Sequence, residues 1–217
     1  MFRSLHFTPR LFLGLAAAVA ATALGSLAPA HADVIDFSAD TAGGKPNGFM
    51  SVQSSLVSFS DSIGAGLFVD NFSPQTVGNG LGVFGDDASA LILDFSVNVN
   101  SLSLLFGNDD PRVVQPGDLA VLTAFVGATQ VGQTTVVLNG NDLADQTIAL
   151  SGFDFNRATF RYERTVGNPI NLIEAVDNVT FTAAPAVGAI PEPGTFALAA
   201  TGLLPLAGAV MRKRRRA

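Results

Sequence analysis

The chain has 217 residues, no cysteine, two histidines and a formal net charge of −6. Without cysteine there is no disulfide frame and no thiol chemistry, so any fold rests on its apolar core. The length suits one such core, and the acidic balance excludes nucleic acid and anionic membrane surfaces as partners of the folded part.

At the start, Arg3 and Arg10 precede an apolar segment that runs from Leu11 to about Leu27, followed by Ala30-His31-Ala32. A charged leader, an apolar stretch and small residues at a cleavage site predict a secretory signal peptide over residues 1–32, helical in its apolar part. It is handed to the Sec export machinery and cut after Ala32. Both histidines, His6 and His31, leave with it. Residues 33–189 then carry five cations against seventeen acids, a net charge of −12. A Ser-His-Asp or Cys-His nucleophile and a zinc site are therefore excluded from the mature chain.

From 33 to 182 the apolar residues recur mostly with period two. In Leu91, Leu93 and Phe95 one face is apolar while Asp94 and Ser96 point the other way, as in a half-buried strand. Further short runs lie at 34–38, 52–60, 67–70, 101–106, 119–126, 134–138, 146–150, 158–163 and 178–182. Asn47-Gly48, Asn79-Gly80 and Asn139-Gly140 supply turn residues, and Pro111, Pro116 and Pro169 exclude central strand positions. The reading is an all-β, antiparallel β-sandwich of jelly-roll type, one domain over 33–182.

Residues 183–189 are small and read as a linker. Thr195 to Met211 follows as seventeen uncharged residues, enough for a short transmembrane helix. Arg212, Lys213, Arg214, Arg215 and Arg216 hold its end in the cytoplasm and put the body on the far side of the inner membrane.

Pro191-Glu192-Pro193-Gly194, the apolar span and the terminal basic cluster, in that order, resemble the PEP-CTERM sorting signal, which covers residues 190–217. The resemblance implies a bacterial envelope, a transient inner-membrane anchor, cleavage near Pro191 to Pro193 by an exosortase, and delivery to the cell surface or the extracellular matrix, often beside exopolysaccharide. A second resemblance rests on Val34-Ile35-Asp36-Phe37-Ser38 and on Ala175 to Phe181, which are similar to the first and last strands of galactose-binding-like jelly rolls. In that group an acid often follows the opening Phe, where this chain has Ser38, and the closing-strand Asp helps hold a structural calcium. Asp177 is the residue that carries over, with calcium as the candidate cofactor.

The residues themselves offer three further leads. Glu163 and Glu174 are the two glutamates of the body, and a glycosidase needs two facing carboxyl groups, usually with aromatic platforms. The body has no Trp and one Tyr, Tyr162, so hydrolysis is not expected and Tyr162 is the candidate sugar platform. Gly85-Asp86-Asp87, Gly107-Asn108-Asp109-Asp110 and Asn139-Gly140-Asn141-Asp142 put hard oxygen ligands on turns, as calcium sites do, though such clusters are mostly turns alone. The expectation is a non-enzymatic surface or matrix protein, structural or adhesive in biofilm or exopolysaccharide. Its alternative is a carbohydrate-binding module with a structural calcium; a carboxylate-dependent glycoside hydrolase is the third class.

Overall fold

A computed structural model describes residues 32–185 except Ala65, Asp86, Asn108 and Asp109. The signal segment through His31 and the sorting motif Pro191–Gly194 with its apolar span lie outside the described residues, as do both expected helices. Residues Ala28–Ala184 form one compact unit. Its strands are β1 (Ala32–Ile35), β2 (Gly43–Lys45), β3 (Val57–Asp61), β4 (Leu67–Asn71), β5 (Asn79–Val83), β6 (Leu91–Phe106), β7 (Leu119–Val126), β8 (Thr129–Val137), β9 (Gln146–Thr165), β10 (Asn168–Pro169) and β11 (Ala175–Ala183). Every pairing among them is antiparallel.

Two strands build the sandwich. The first half of β6 pairs with β3 and with β9 from Arg157 to Phe160; its second half pairs with β11 and with β9 from Gln146 to Ser151. The register breaks between Asp94 and Val99, where Ser96, Val97 and Asn98 are exposed. An irregularity of this kind bends a strand, and here it passes β6 and β9 from one layer to the other. One layer is β3-β6-β9-β7-β8; the other is β2-β4-β5-β11-β6-β9, with β1 beside β11. The expected sandwich is thus observed.

The core follows the alternation. Leu91, Leu93 and Phe95 point inward from β6, as do Ala158, Phe160 and Tyr162 from β9. They meet Phe106, Val179 and Phe181 from the opposite layer. Phe95 and Phe181 pack edge to face at 5.2 Å, and Phe106 touches both Phe160 and Tyr162 at 5.5 and 6.1 Å between ring centres. Each such ring contributes roughly 1.5–3 kcal/mol by leaving water, and this replaces disulfides as the source of stability.

Several boundaries differ from the sequence reading. Residues 52–56 are turns, because Ser51 and Ser54 fold back on Asp40 and Asp33. Asn79-Gly80 opens β5 and is no turn: a Cβ at Gly80 would lie 2.2 Å from Thr76 Cγ2, so glycine is there for close approach. Gly48 and Gly140 do occupy turns, with φ of 81° and 66°. Pro169 sits on the two-residue outer strand β10, where a missing amide is harmless.

Candidate functional site

On β4 the residues Leu67 and Val69 point into the core, so Phe68 between them points out. β5 alternates likewise, with Leu81 and Val83 inward and Gly80 and Gly82 on the outer face. The register pairs Phe68 with Gly82 on one side and with Gly44 of β2 on the other. An aromatic ring is therefore flanked across the sheet by two residues without side chains.

Two depressions flank that ring. One, about 340 Å³, is walled by Phe68, Phe72, Phe84 and Ile173 over Gly82. The other, also about 340 Å³, lies between Phe68 and Phe84 and the Gly44, Lys45 and Pro46 segment. Phe68 and Phe72 stand 6.3 Å apart at 59°. Phe84, just past the end of β5, is 58 % exposed and borders both hollows. Its place is fixed by its amide, which donates to the Gly66 carbonyl at 2.9 Å. No carboxylate lines either hollow among the described residues. Ring faces and backbone edges are what they offer; the Lys45 amino group is engaged elsewhere, donating to Thr41 Oγ1 and lying over the Phe49 ring.

The acids singled out by sequence are placed elsewhere. Glu163 is fully buried and accepts from Arg161 Nε and from the Gly167 amide, so it ties the β9–β10 turn. Glu174 is also fully buried, and among the described residues neither carboxylate oxygen makes a well-formed hydrogen bond. Burial pushes its pKa well above the usual carboxylate range, against the pull of the Glu174 and Tyr162 amides, and the charges of Asp87 and Asp61 add to the rise. Neither glutamate lines either of these two hollows.

Asp177, the expected calcium ligand, is buried on β11 with Oδ2 accepting from the Val77 amide at 3.2 Å and Oδ1 from the Asn178 amide at 2.6 Å. Its pKa is raised by desolvation and lowered less by those two amides. Both oxygens hold backbone amides, and among the described residues no group of three or more His, Cys, Asp or Glu side chains is placed to hold a metal ion. The acidic loops read as turns: Asp87 accepts from the Ser89 amide, Asp110 from the Arg112 amide, and Asn139 from the Asn141 amide.

Tyr162 is corrected as a sugar platform, since it is fully buried among Phe106 and Phe160. The exposed ring is Phe84 instead. Its signal was available in Gly80-Leu81-Gly82-Val83-Phe84-Gly85, where alternate glycines strip one face of a strand beside an aromatic residue.

No protein-family model matches the chain, and no curated protein sequence does. Among solved structures, a DUF4465 family protein from Bacteroides caccae is similar at 12 % identity and a TM-score of 0.45, over 71 % of this chain and 100 % of that one. The family 32 CBM from C. perfringens NanJ, solved in complex with galactose, is similar at 12 % identity and a TM-score of 0.32, over 70 % and 99 %. CBM32-3 from a family 31 glycoside hydrolase of Clostridium perfringens gives 10 % and 0.32, over 70 % and 96 %. Likenesses this distant carry no functional argument.

Proposed function

We propose that the chain is an exported, non-catalytic glycan-binding module that serves at the cell surface or in the extracellular matrix. The observation that carries this reading is the row Gly44, Phe68, Gly82 with Phe84 beside it. A pyranose presents C–H groups on one face and stacks on an accessible aromatic ring, and two hollows sharing Phe68 and Phe84 give room for consecutive units. The body's charge of −12 favours neutral over acidic polysaccharide.

Export and surface delivery come from the sequence: the signal segment with Ala30 and Ala32, and the resemblance of Pro191–Gly194 and its basic end to an exosortase substrate. The decisive experiment is a glycan array followed by calorimetry on the Ala28–Ala184 unit, which encloses its own core. Binding to a neutral glycan that falls at least tenfold in Phe84→Ala and Phe68→Ala is the expected result. Binding that survives both changes, or no binding on the array, overturns the reading.

A further inference from the structure

The outermost strand of one layer is β8, and it pairs only with β7. It is nine residues long and contains neither proline nor a charged residue. The charge-free stretch is longer still, from Leu119 through Asn141, in a body that otherwise carries seventeen acids. Soluble β-proteins usually blunt such an edge with lysine, proline, a covering segment or brevity.

The other edges of this fold show those devices. β2 has three residues and ends in Lys45. The free side of β3 is covered by the Gly48 and Phe49 backbone, which exchanges hydrogen bonds with Phe59 at 2.9 and 2.7 Å. β1 has four residues, and the chain just after it is held by the Gln53 side chain on the Asp36 and Phe37 amides. The inner face of β8 is covered too, since the Phe153 ring lies against bare Gly132. Its outer backbone is not: besides Gln146 Nε2 on the Val137 carbonyl, no hydrogen bond among the described residues reaches β8 from any element but β7.

Which residues face outward follows from the ladder. The Leu138 amide donates to the Asp118 carbonyl, so residues 138 and 118 form a hydrogen-bonded pair with β7's end. In an antiparallel ladder such pairs alternate, so Val137, Thr135 and Gln133 turn their N–H and C=O away from β7. The Gln146 contact on the Val137 carbonyl agrees. The side chains of all three are exposed, Val137 at 58 %.

We infer that β8 is a self-association edge, where a second copy of this chain adds its own β8 antiparallel about a two-fold axis at Thr135. That register places Thr135 against its symmetry mate and Gln133 against Val137, so the outward amides and carbonyls of the stretch meet partners, the Val137 carbonyl by sharing or exchanging its Gln146 Nε2 contact. Threonine and valine are good cross-strand neighbours, and one patch serves both copies. The choice of a second copy over another protein rests on charge. Two bodies of −12 repel over most approaches, and the charge-free β7–β8 hairpin is the surface on which they come together with the least like charge between them. Pairing of two such edges continues the layer across both copies. The inference is independent of the cleft.

The test is sedimentation of Ala28–Ala184 and of the full chain over a concentration series, with Thr135→Lys beside Asn98→Lys, an equal charge change at an exposed bend. The wild type and Asn98→Lys are expected to form dimers and Thr135→Lys to stay monomeric with an unchanged melting temperature. Because Thr135→Lys lowers the net negative charge, unspecific electrostatics predicts the opposite direction. As a second reading, Thr135→Cys, the sole cysteine in the chain, is expected to cross-link two copies under mild oxidation. A wild type that remains monomeric throughout, dimers that persist in Thr135→Lys, or association of the full chain alone overturns the inference.

Discussion

Ile173 and Glu174 are neighbours in sequence and opposites in environment: Ile173 forms a wall of the open cleft, whereas Glu174 is fully buried. The segment that leads into β11 thus carries a cleft wall on one face and a buried carboxyl group on the other. Such a group is retained at a cost that depends on pH.

For Glu174 the folded pKa is raised above its ordinary 4.5, so the folded state holds a proton that the unfolded chain releases. Its share of stability is complete below the ordinary value and declines as pH rises from there toward the folded value. Glu174→Gln is expected to be more stable than wild type by about 1–3 kcal/mol at pH 8, with the difference shrinking toward pH 4. Urea unfolding across that range measures it; a difference independent of pH would show that the acid does not titrate with folding.

The cleft can be changed without touching the core. A Cβ at Gly82 would lie 3.1 Å from Phe72 Cζ and 3.6 Å from Ile173, on the cleft floor. Gly82→Ala and Phe84→Ala are expected to weaken glycan binding while moving stability by at most about 1 kcal/mol. Calorimetry and thermal melts on the same samples separate the two effects.

Gly107→Ala is expected to do the reverse. Its Cβ would meet the Leu143 carbonyl at 2.5 Å and the Ala144 amide at 2.6 Å, and backbone cannot rotate aside. A loss of about 1–3 kcal/mol in denaturant unfolding, with the cleft's affinity intact, is the expected outcome.

Two ion pairs differ in weight. Arg157 grips Asp94 with two hydrogen bonds, but both side chains are more than a third exposed, so Asp94→Asn is expected to cost less than about 1 kcal/mol and to be salt-sensitive. Glu163→Ala leaves Arg161 and the Gly167 amide without their acceptor beneath a fully buried position. About 2–3 kcal/mol is expected, less than for a fully buried pair because Arg161 stays partly in water.

Much of the fold was legible because period two is a local signal. The stretch 119–126 coincides with β7, and Leu91, Leu93 and Phe95 all face the core. What escaped was long-range. Runs read as separate at 90–96 and 101–106 are one strand, since pairing of Val99 with Phe155 of β9 and Ala183 of β11 carries the chain through the break between them. Asn79-Gly80 was read as a turn because glycine's role at 80 is set by Thr76, which local spacing does not reveal. Tyr162 was misplaced for a related reason: exposure belongs to the sheet row, and residue type alone put the ring with the polar tip outside.

The cleft lies where β11 begins, and the chain leaves at the other end of β11, through Ala183 and Ala184. β11 is held along its length by β6 on one side and by β1 and β5 on the other. Hydrogen bonds in such ladders run across the strands. Tension applied between a captured polymer and a tethered C-terminal end therefore acts lengthwise, loading the whole row in shear at once. Pulling across the strands instead would peel that row open bond by bond, so β11 is expected to resist a pull along its own length better than one across it.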